Sequence, residues 1–276
     1  MSGSVRLCLV GAGRVAKVHA NTLVKHVPHG ELVVIVDTSR DALQETADMF
    51  SIDGRFATLE QALESAQFDA VVITTPTFTH KDLAVQAAHS GKHILLEKPM
   101  ALNLEDCDKI INAAKNCGVL LQLAFMRRFD PEFQAAAKRI EAGEIGRPMM
   151  IKSLTHGPGL PPAWARDLET SNGNLAEVNS HDWDCIRWLM FDNYKRVFVE
   201  VANFKGEARG VDAENFYDTA LASVQFENGG LGSISSVCPC DYGYDARAEI
   251  IGEKGIMQIG QMGGQAVVVC TCLLYT

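Results

Sequence analysis

The sequence predicts an α/β chain in two parts: a doubly wound parallel sheet over residues 1–124, then an α+β domain with a mainly antiparallel, open sheet over residues 125–276. Three observations predict it. Up to Ala124, short β-branched runs that are apolar on both faces alternate with amphipathic helical stretches, as in a parallel sheet covered on both sides. Beyond Ala124 the rhythm changes to strand signals joined by turns such as Asn228-Gly229-Gly230. Finally, 276 residues with 47% hydrophobic and 21% charged side chains are enough for two cores.

Each element has a local reason. Val5 to Val10 is a strand, followed by a glycine turn and a helix to about His26; Leu32 to Val36 is the next strand, and a helix runs from about Asp41 to Phe50. Thr58 and Gln61 have capping-box spacing before a helix to Ala66, and Ala70 to Thr74 is a buried strand leading into a helix that stops at Gly91. His93 to Glu97 follows as a strand, Asn103 caps a helix to Cys117 with Gly118 as its stop, and Leu120 to Ala124 closes the series. The second part opens with a helix from Pro131 to Ala142 and a strand around Met149 to Leu154. A Pro/Gly loop from Gly157 to Pro162 and one longer helix from about Leu175 to Leu189 come next. Strands are then expected at Val197 to Asn203, Thr219 to Phe226, Leu231 to Val237, Ala248 to Gly252 and Gly255 to Ile259.

Charge and composition exclude several classes of function. With 34 acidic against 25 basic side chains the formal charge is -9, which repels polyanions, so no nucleic-acid partner is expected. No stretch supplies the roughly 20 apolar residues of a membrane span, and a strand begins almost at once, so no membrane partner and a cytoplasmic location are expected. The eight cysteines form no paired C-x-x-C sets, which favours reduced thiols and no metal.

Three motifs carry chemistry. Gly11-Ala12-Gly13-Arg14-Val15-Ala16 is G-x-G-x-x-A between a strand and a helix, the dinucleotide-binding turn of a Rossmann domain: the glycines let backbone approach a pyrophosphate, and the helix N-terminus attracts it. Arg14 and Val15 lie in that cofactor-binding turn. Asp37 ends the next strand, where a carboxylate accepts ribose hydroxyls and repels a 2′-phosphate; NAD is therefore expected, while nearby Arg40 leaves NADP open. The second motif, Glu97-Lys98-Pro99, follows a parallel strand at the carboxyl edge where open sheets bind ligands. In the third, Glu177 and His181 are four apart on one expected helical face, so the carboxylate can orient an imidazole that takes a proton. Taken singly, these are also a plain turn, a solvated strand-end lysine and a surface pair.

Together they resemble the glucose-fructose oxidoreductase and inositol 2-dehydrogenase (Gfo/Idh/MocA) family over essentially the whole length. The matching stretches are Gly11-x-Gly13-x-x-Ala16-x-x-His19, Thr74-Thr75-Pro76-Thr77-x-x-His80, Glu97-Lys98-Pro99, Phe125-Met126-Arg127-Arg128-Phe129-Asp130-Pro131 and His181-Asp182-Trp183-Asp184. The resemblance implies that Thr75, Pro76 and His80 lie along the nicotinamide half of the cofactor, that Glu97 contacts its ribose, and that Thr74 and Arg127 belong to the cofactor-binding set. It makes Lys98 and His181 the catalytic pair, with Glu177 where the family usually has Asp. The Arg127-Arg128-Phe129-Asp130 segment looks most like the inositol dehydrogenases.

The function expected from these residues is reversible oxidation of a secondary alcohol on a cyclic polyol or sugar, with hydride passing to the nicotinamide. His181 removes the hydroxyl proton and Lys98 hydrogen-bonds the same oxygen; His156, Trp164 and Asn179 are the further substrate-side candidates. Reduction of an oxo-sugar or other unsaturated substrate on the same fold is the alternative, and a non-catalytic sensor of NAD or sugar the third reading. The resemblance also implies a homo-oligomer, dimer or tetramer, assembled through the open sheet face. Against it the chain is short, and Cys272-Leu273-Leu274-Tyr275-Thr276 matches what a sequencing-library transposon end encodes. The sequence is therefore read as C-terminally incomplete, with those five residues non-native.

Overall fold

The computed structural model describes residues 3–211, 215–261 and 264–271, and the chain divides after Ala124 into two compact units. The segment Cys272 to Thr276 lies outside the described residues. No helix among those described is long and apolar enough to cross a membrane.

The first unit runs β1 (Val5–Val10), α1 (Arg14–His26), β2 (Gly30–Val36), α2 (Arg40–Phe50), β3 (Gly54–Phe56), α3 (Leu59–Ser65), β4 (Ala70–Ile73), α4 (His80–His89), β5 (His93–Leu96), α5 (Leu104–Cys117) and β6 (Leu121–Leu123). The six strands form one sheet in the order β3-β2-β1-β4-β5-β6, and every pairing is parallel. The order reverses at β1, the topological switch point of a doubly wound sheet. Because successive strand residues point to opposite faces, the apolar runs build two cores. Cys8, Val10, Val34, Val71, Ile73, Ile94 and Leu96 pack on α3, α4 and α5. Leu7, Leu9, Leu32, Ile35 and Val72 pack on Ala16 and Ala20 of α1 and Ala47 of α2. The caps act as the sequence suggests: Thr58 accepts from Gln61 N–H, Asn103 accepts from Asp106 N–H, and Gly118 ends α5 at φ 67°. Strand β3 is not among the sequence expectations, since Gly54-Arg55-Phe56 has no β-branched residue.

The second unit runs α6 (Pro131–Glu141), β7 (Pro148–Pro158), α7 (Ala163–Arg166), α8 (Leu168–Ser171), α9 (Asn174–Glu177), α10 (Ser180–Met190), β8 (Tyr194–Ala202), β9 (Thr219–Phe226), β10 (Leu231–Cys240), β11 (Asp245–Gly252), β12 (Gly255–Gln261) and β13 (Gly264–Thr271). Its seven-stranded sheet has the order β13-β12-β11-β7-β10-β9-β8. All pairings are antiparallel except β7 with β10. One face buries Ile151, Val224, Phe226, Ile234, Ile250 and Met257 under Phe133, Ile140, Ile186 and Leu189 of α6 and α10. On β8 and β9 the alternate residues Phe198 and Leu221 are exposed. The hairpin at Asn228-Gly229-Gly230 closes through Gly230 O accepting from Phe226 N–H at 2.8 Å.

Two expectations are corrected here. The helix expected from Leu175 to Leu189 is broken into α9 and α10 at Val178-Asn179. Asn179 Nδ2 bonds Asp182 Oδ2 at 2.9 Å and reaches the backbone oxygens of Ser235 and Thr155 at 3.3 and 3.5 Å, which draws this residue toward the sheet. The strand expected to end near Leu154 continues to Pro158, so Thr155 and His156 stand on β7 and not in a loop.

Candidate active site

In the first unit the glycine turn sits between β1 and α1. Gly11 has φ +103°, and a Cβ there would lie 2.7 Å from Thr74 Oγ1, so a side chain is barred by conformation and by space. A Cβ on Gly13 would meet nothing within 4 Å. Gly13 precedes α1, whose N-terminus has no side-chain cap and no acid in its first turn. Its first N–H groups and positive dipole end are therefore left for an anion. Arg14 and Val15 are exposed beside it, whereas Ala16 is buried against the sheet and serves helix packing.

Asp37 stands at the end of β2 and is tied to this turn. Its Oδ2 accepts from Ala12 N–H and its Oδ1 from Ser39 N–H, both at 2.7 Å. A carboxylate has lone pairs beyond those two bonds, so it can also accept from ribose hydroxyls. Arg40, at the start of α2, is exposed. An open glycine cradle, an uncapped helix start and a carboxylate beside them fit the pyrophosphate and adenosine ribose of NAD.

At the carboxyl ends of β4 and β5 lie Thr74, Thr75, Pro76, Glu97 and Lys98, all partly exposed. Glu97 Oε1 lies 2.8 Å from His19 Nε2, and its Oε2 accepts from Lys98 N–H at 3.1 Å. Burial would raise the Glu97 pKa, but the His19 bond and the charges of Lys98 and His19 win and hold it below the ordinary value. Sequence reasoning assigned His19 no role. Its place beside buried Ala16 and Ala20 on α1 was the signal that it turns inward. His80, expected along the nicotinamide half of the cofactor, has a ring that is 1% exposed, with both nitrogens facing backbone carbonyls.

In the second unit the candidates surround a buried polar network. Arg127, 3% exposed, donates from Nη1 to Asp182 Oδ1 at 2.8 Å and to Ser153 Oγ at 3.2 Å, and from Nη2 to Thr155 Oγ1 at 2.6 Å. Burial would lower its pKa; the Asp182 charge reverses this and raises it. Every guanidinium contact described lies within this unit. Arg127 thus counters the buried Asp182 carboxylate. Asp182 adjoins His181 in the first turn of α10, while Glu177 ends α9, so a break in the helix lies between the two candidates.

Asn179 is fully buried and braces the network. His156 is half-buried on β7; its Nε2 is 3.0 Å from Ser235 Oγ, and its Nδ1 bonds the Tyr242 hydroxyl. Burial lowers the His156 pKa, with Asp245 and Arg247 pulling in opposite directions. Tyr242, exposed and missed from sequence, has no local motif to mark it. Trp164 is partly exposed on α7, its carbonyl accepting from Thr170 Oγ1 at 2.6 Å. The six cysteines whose side chains are described are free thiols.

Comparison with known proteins adds the family. Residues 5–125 match an oxidoreductase family with an NAD-binding Rossmann fold, and residues 133–258 match the Gfo/Idh/MocA C-terminal domain. The scyllo-inositol 2-dehydrogenase (NAD(+)) of Bacillus subtilis is 35% identical over 274 residues, covering 98% of this chain and 78% of that enzyme. The myo-inositol 2-dehydrogenase of Thermotoga maritima is 32% identical, covering 91% of this chain and 74% of that enzyme. The crystal structure of a putative myo-inositol dehydrogenase from Sinorhizobium meliloti superposes with a TM-score of 0.84 at 32% identity, covering 96% of this chain and 81% of that one. With a glycine cradle and Asp37 shaped for NAD, and both domains matched, the chain belongs to the Gfo/Idh/MocA oxidoreductase family.

Proposed function

We propose that the chain is an NAD-dependent dehydrogenase acting on a secondary hydroxyl of an inositol-like cyclic polyol or sugar. The observation that carries this reading is Lys98 at the carboxyl end of β5, next to a Glu97 fixed by His19, in a chain whose similar relatives are inositol 2-dehydrogenases. NAD, when bound, supplies the nicotinamide carbon that accepts the hydride. Gly11, Gly13 and the start of α1 hold the pyrophosphate, Asp37 holds the adenosine ribose and disfavours a 2′-phosphate, and Thr75 and Pro76 flank the nicotinamide half. Lys98 donates a hydrogen bond to the carbinol oxygen, favouring its change to a carbonyl oxygen, and His181 takes the hydroxyl proton. Glu177 orients the imidazole, and His156 and Trp164 bind the ring hydroxyls and ring face.

The reading includes a cytoplasmic location and self-association into a dimer or tetramer. Val197, Phe198, Val199, Val201 and Leu221, each more than a third exposed on β8 and β9, support the association.

The test is a panel of inositols and aldoses assayed with NAD and NADP in parallel, with Lys98→Ala alongside. Turnover with NAD and an inositol is expected, and Lys98→Ala should lose roughly 10²–10⁴-fold in kcat. Full turnover by Lys98→Ala would sink the assignment, and NAD binding without turnover across the panel would favour a sensor.

A further inference from the structure

Two loops at the carboxyl edge of the first unit's sheet meet at one side chain. His80 opens α4, and its Nδ1 and Nε2 lie 2.8 and 2.9 Å from the carbonyl oxygens of Pro99 and Thr75. At 1% exposure the ring presents nothing to a ligand, and both polar atoms are engaged with backbone. Pro99 directly follows Lys98. On the other side of the lysine, Glu97 is held by His19 and accepts from the Lys98 N–H. The residues flanking Lys98 are thus anchored, while Lys98 itself is partly exposed.

We propose that His80 is a positioning residue for Lys98: its Nδ1–H donates to the Pro99 carbonyl and so fixes the backbone from which the lysine projects. This rests on the reading of Lys98 as the donor to the reacting oxygen.

A buried imidazole N–H without a partner would cost free energy, so it needs one of the two carbonyls. Burial lowers the His80 pKa against the opposing pull of the Pro99 and Thr75 carbonyls and the Glu97 charge. A neutral ring has one N–H and donates to one carbonyl only; carried on Nδ1 it goes to Pro99, and substitution can separate this bond from the Thr75 contact. His80→Asn places an amide near Nδ1 and keeps the Pro99 contact. His80→Gln places one near Nε2 and keeps the Thr75 contact, and His80→Leu keeps neither.

The experiment measures kcat with NAD and scyllo-inositol, NADH affinity by fluorescence, and hydrogen exchange of residues 97–101 by mass spectrometry. His80→Leu and His80→Gln should lower kcat roughly 10- to 100-fold, the scale of a small misplacement of a catalytic group, with NADH Kd changed less than about twofold. They should also speed exchange at 97–101, whereas His80→Asn should stay close to wild type in both. If His80→Leu does not fold, the contrast between Asn and Gln remains; equal behaviour of those two would overturn the proposal. So would unchanged exchange at 97–101 in both His80→Leu and His80→Gln, even where Lys98→Ala is inactive. Full turnover in Lys98→Ala would instead refute the Lys98 assignment beneath it, a result exchange in the His80 variants does not mimic.

Discussion

The two units present polar groups in opposite ways. The first builds its binding edge from backbone: an open glycine, an uncapped helix start, and a carboxylate and two histidines that tie down peptide groups or one another. The second builds its interior from side chains, with Arg127, Ser153, Thr155, Asn179 and Asp182 bonded together out of water. A backbone site depends on which positions lack a side chain, so its sensitive residues are glycines. A side-chain network depends on charge balance, so its sensitive residues are the ions.

The largest effect should come from breaking that balance. Arg127→Met leaves the Asp182 carboxylate buried without its counter-charge and should cost about 3–5 kcal/mol in urea denaturation. A loss under about 1 kcal/mol would show that the network is not dry. In the first unit, Gly11→Ala meets both the positive φ and Thr74, and should cost about 1–3 kcal/mol in stability. Gly13→Ala, facing open space, should leave thermal stability nearly unchanged and weaken NADH binding measured by fluorescence. If both glycines affected only stability, the backbone site would lose its meaning.

Asp218 crosses the divide, since this buried carboxylate of the second unit accepts from the N–H groups of Phe204, Lys205 and Gly206. Burial would raise its pKa, but the Gly206 N–H, the Thr219 hydroxyl and the other two amides outweigh this and lower it. A depressed folded pKa means stability present at neutral pH and lost as pH falls below the ordinary carboxylate value of about 3.9. Asp218→Asn should therefore flatten the fall in stability from about pH 4 downward in acid titrations followed by circular dichroism. Lys109→Ala should matter least: its pairs with Glu105 and Asp106 are exposed, and a change above about 1 kcal/mol would contradict the contrast.

The same contrast explains what was legible in the sequence. Strands β1, β2, β4 and β5 could be read because residues buried on both faces leave unbroken β-branched runs, and the glycine turn because its constraint is local. The break at Asn179 could not, since it depends on oxygens of Thr155 and Ser235 that are distant in sequence. Arg127 stands out in a motif, but its partner Asp182 lies 55 residues away, so the motif gives no sign of the buried ion pair. For His80 too, spacing marks a residue without saying which way its ring points. The parallel pairing of β7 with β10 leaves no trace in either strand's pattern.

The position of Arg127, three residues beyond the point where the two units divide, bears on any attempt to express the halves apart. By contacts the short stretch Met126–Phe129 belongs to the second unit: Arg127 holds Asp182, and Arg128 makes a two-pronged pair with Asp184 at 2.8 Å. Cutting at Pro131, where the next helix invites a start codon, would strip both arginines from their carboxylates. Cutting after Ala124 keeps them together. A polypeptide beginning at Phe125 should reach the soluble fraction in far higher yield than one begun six residues later.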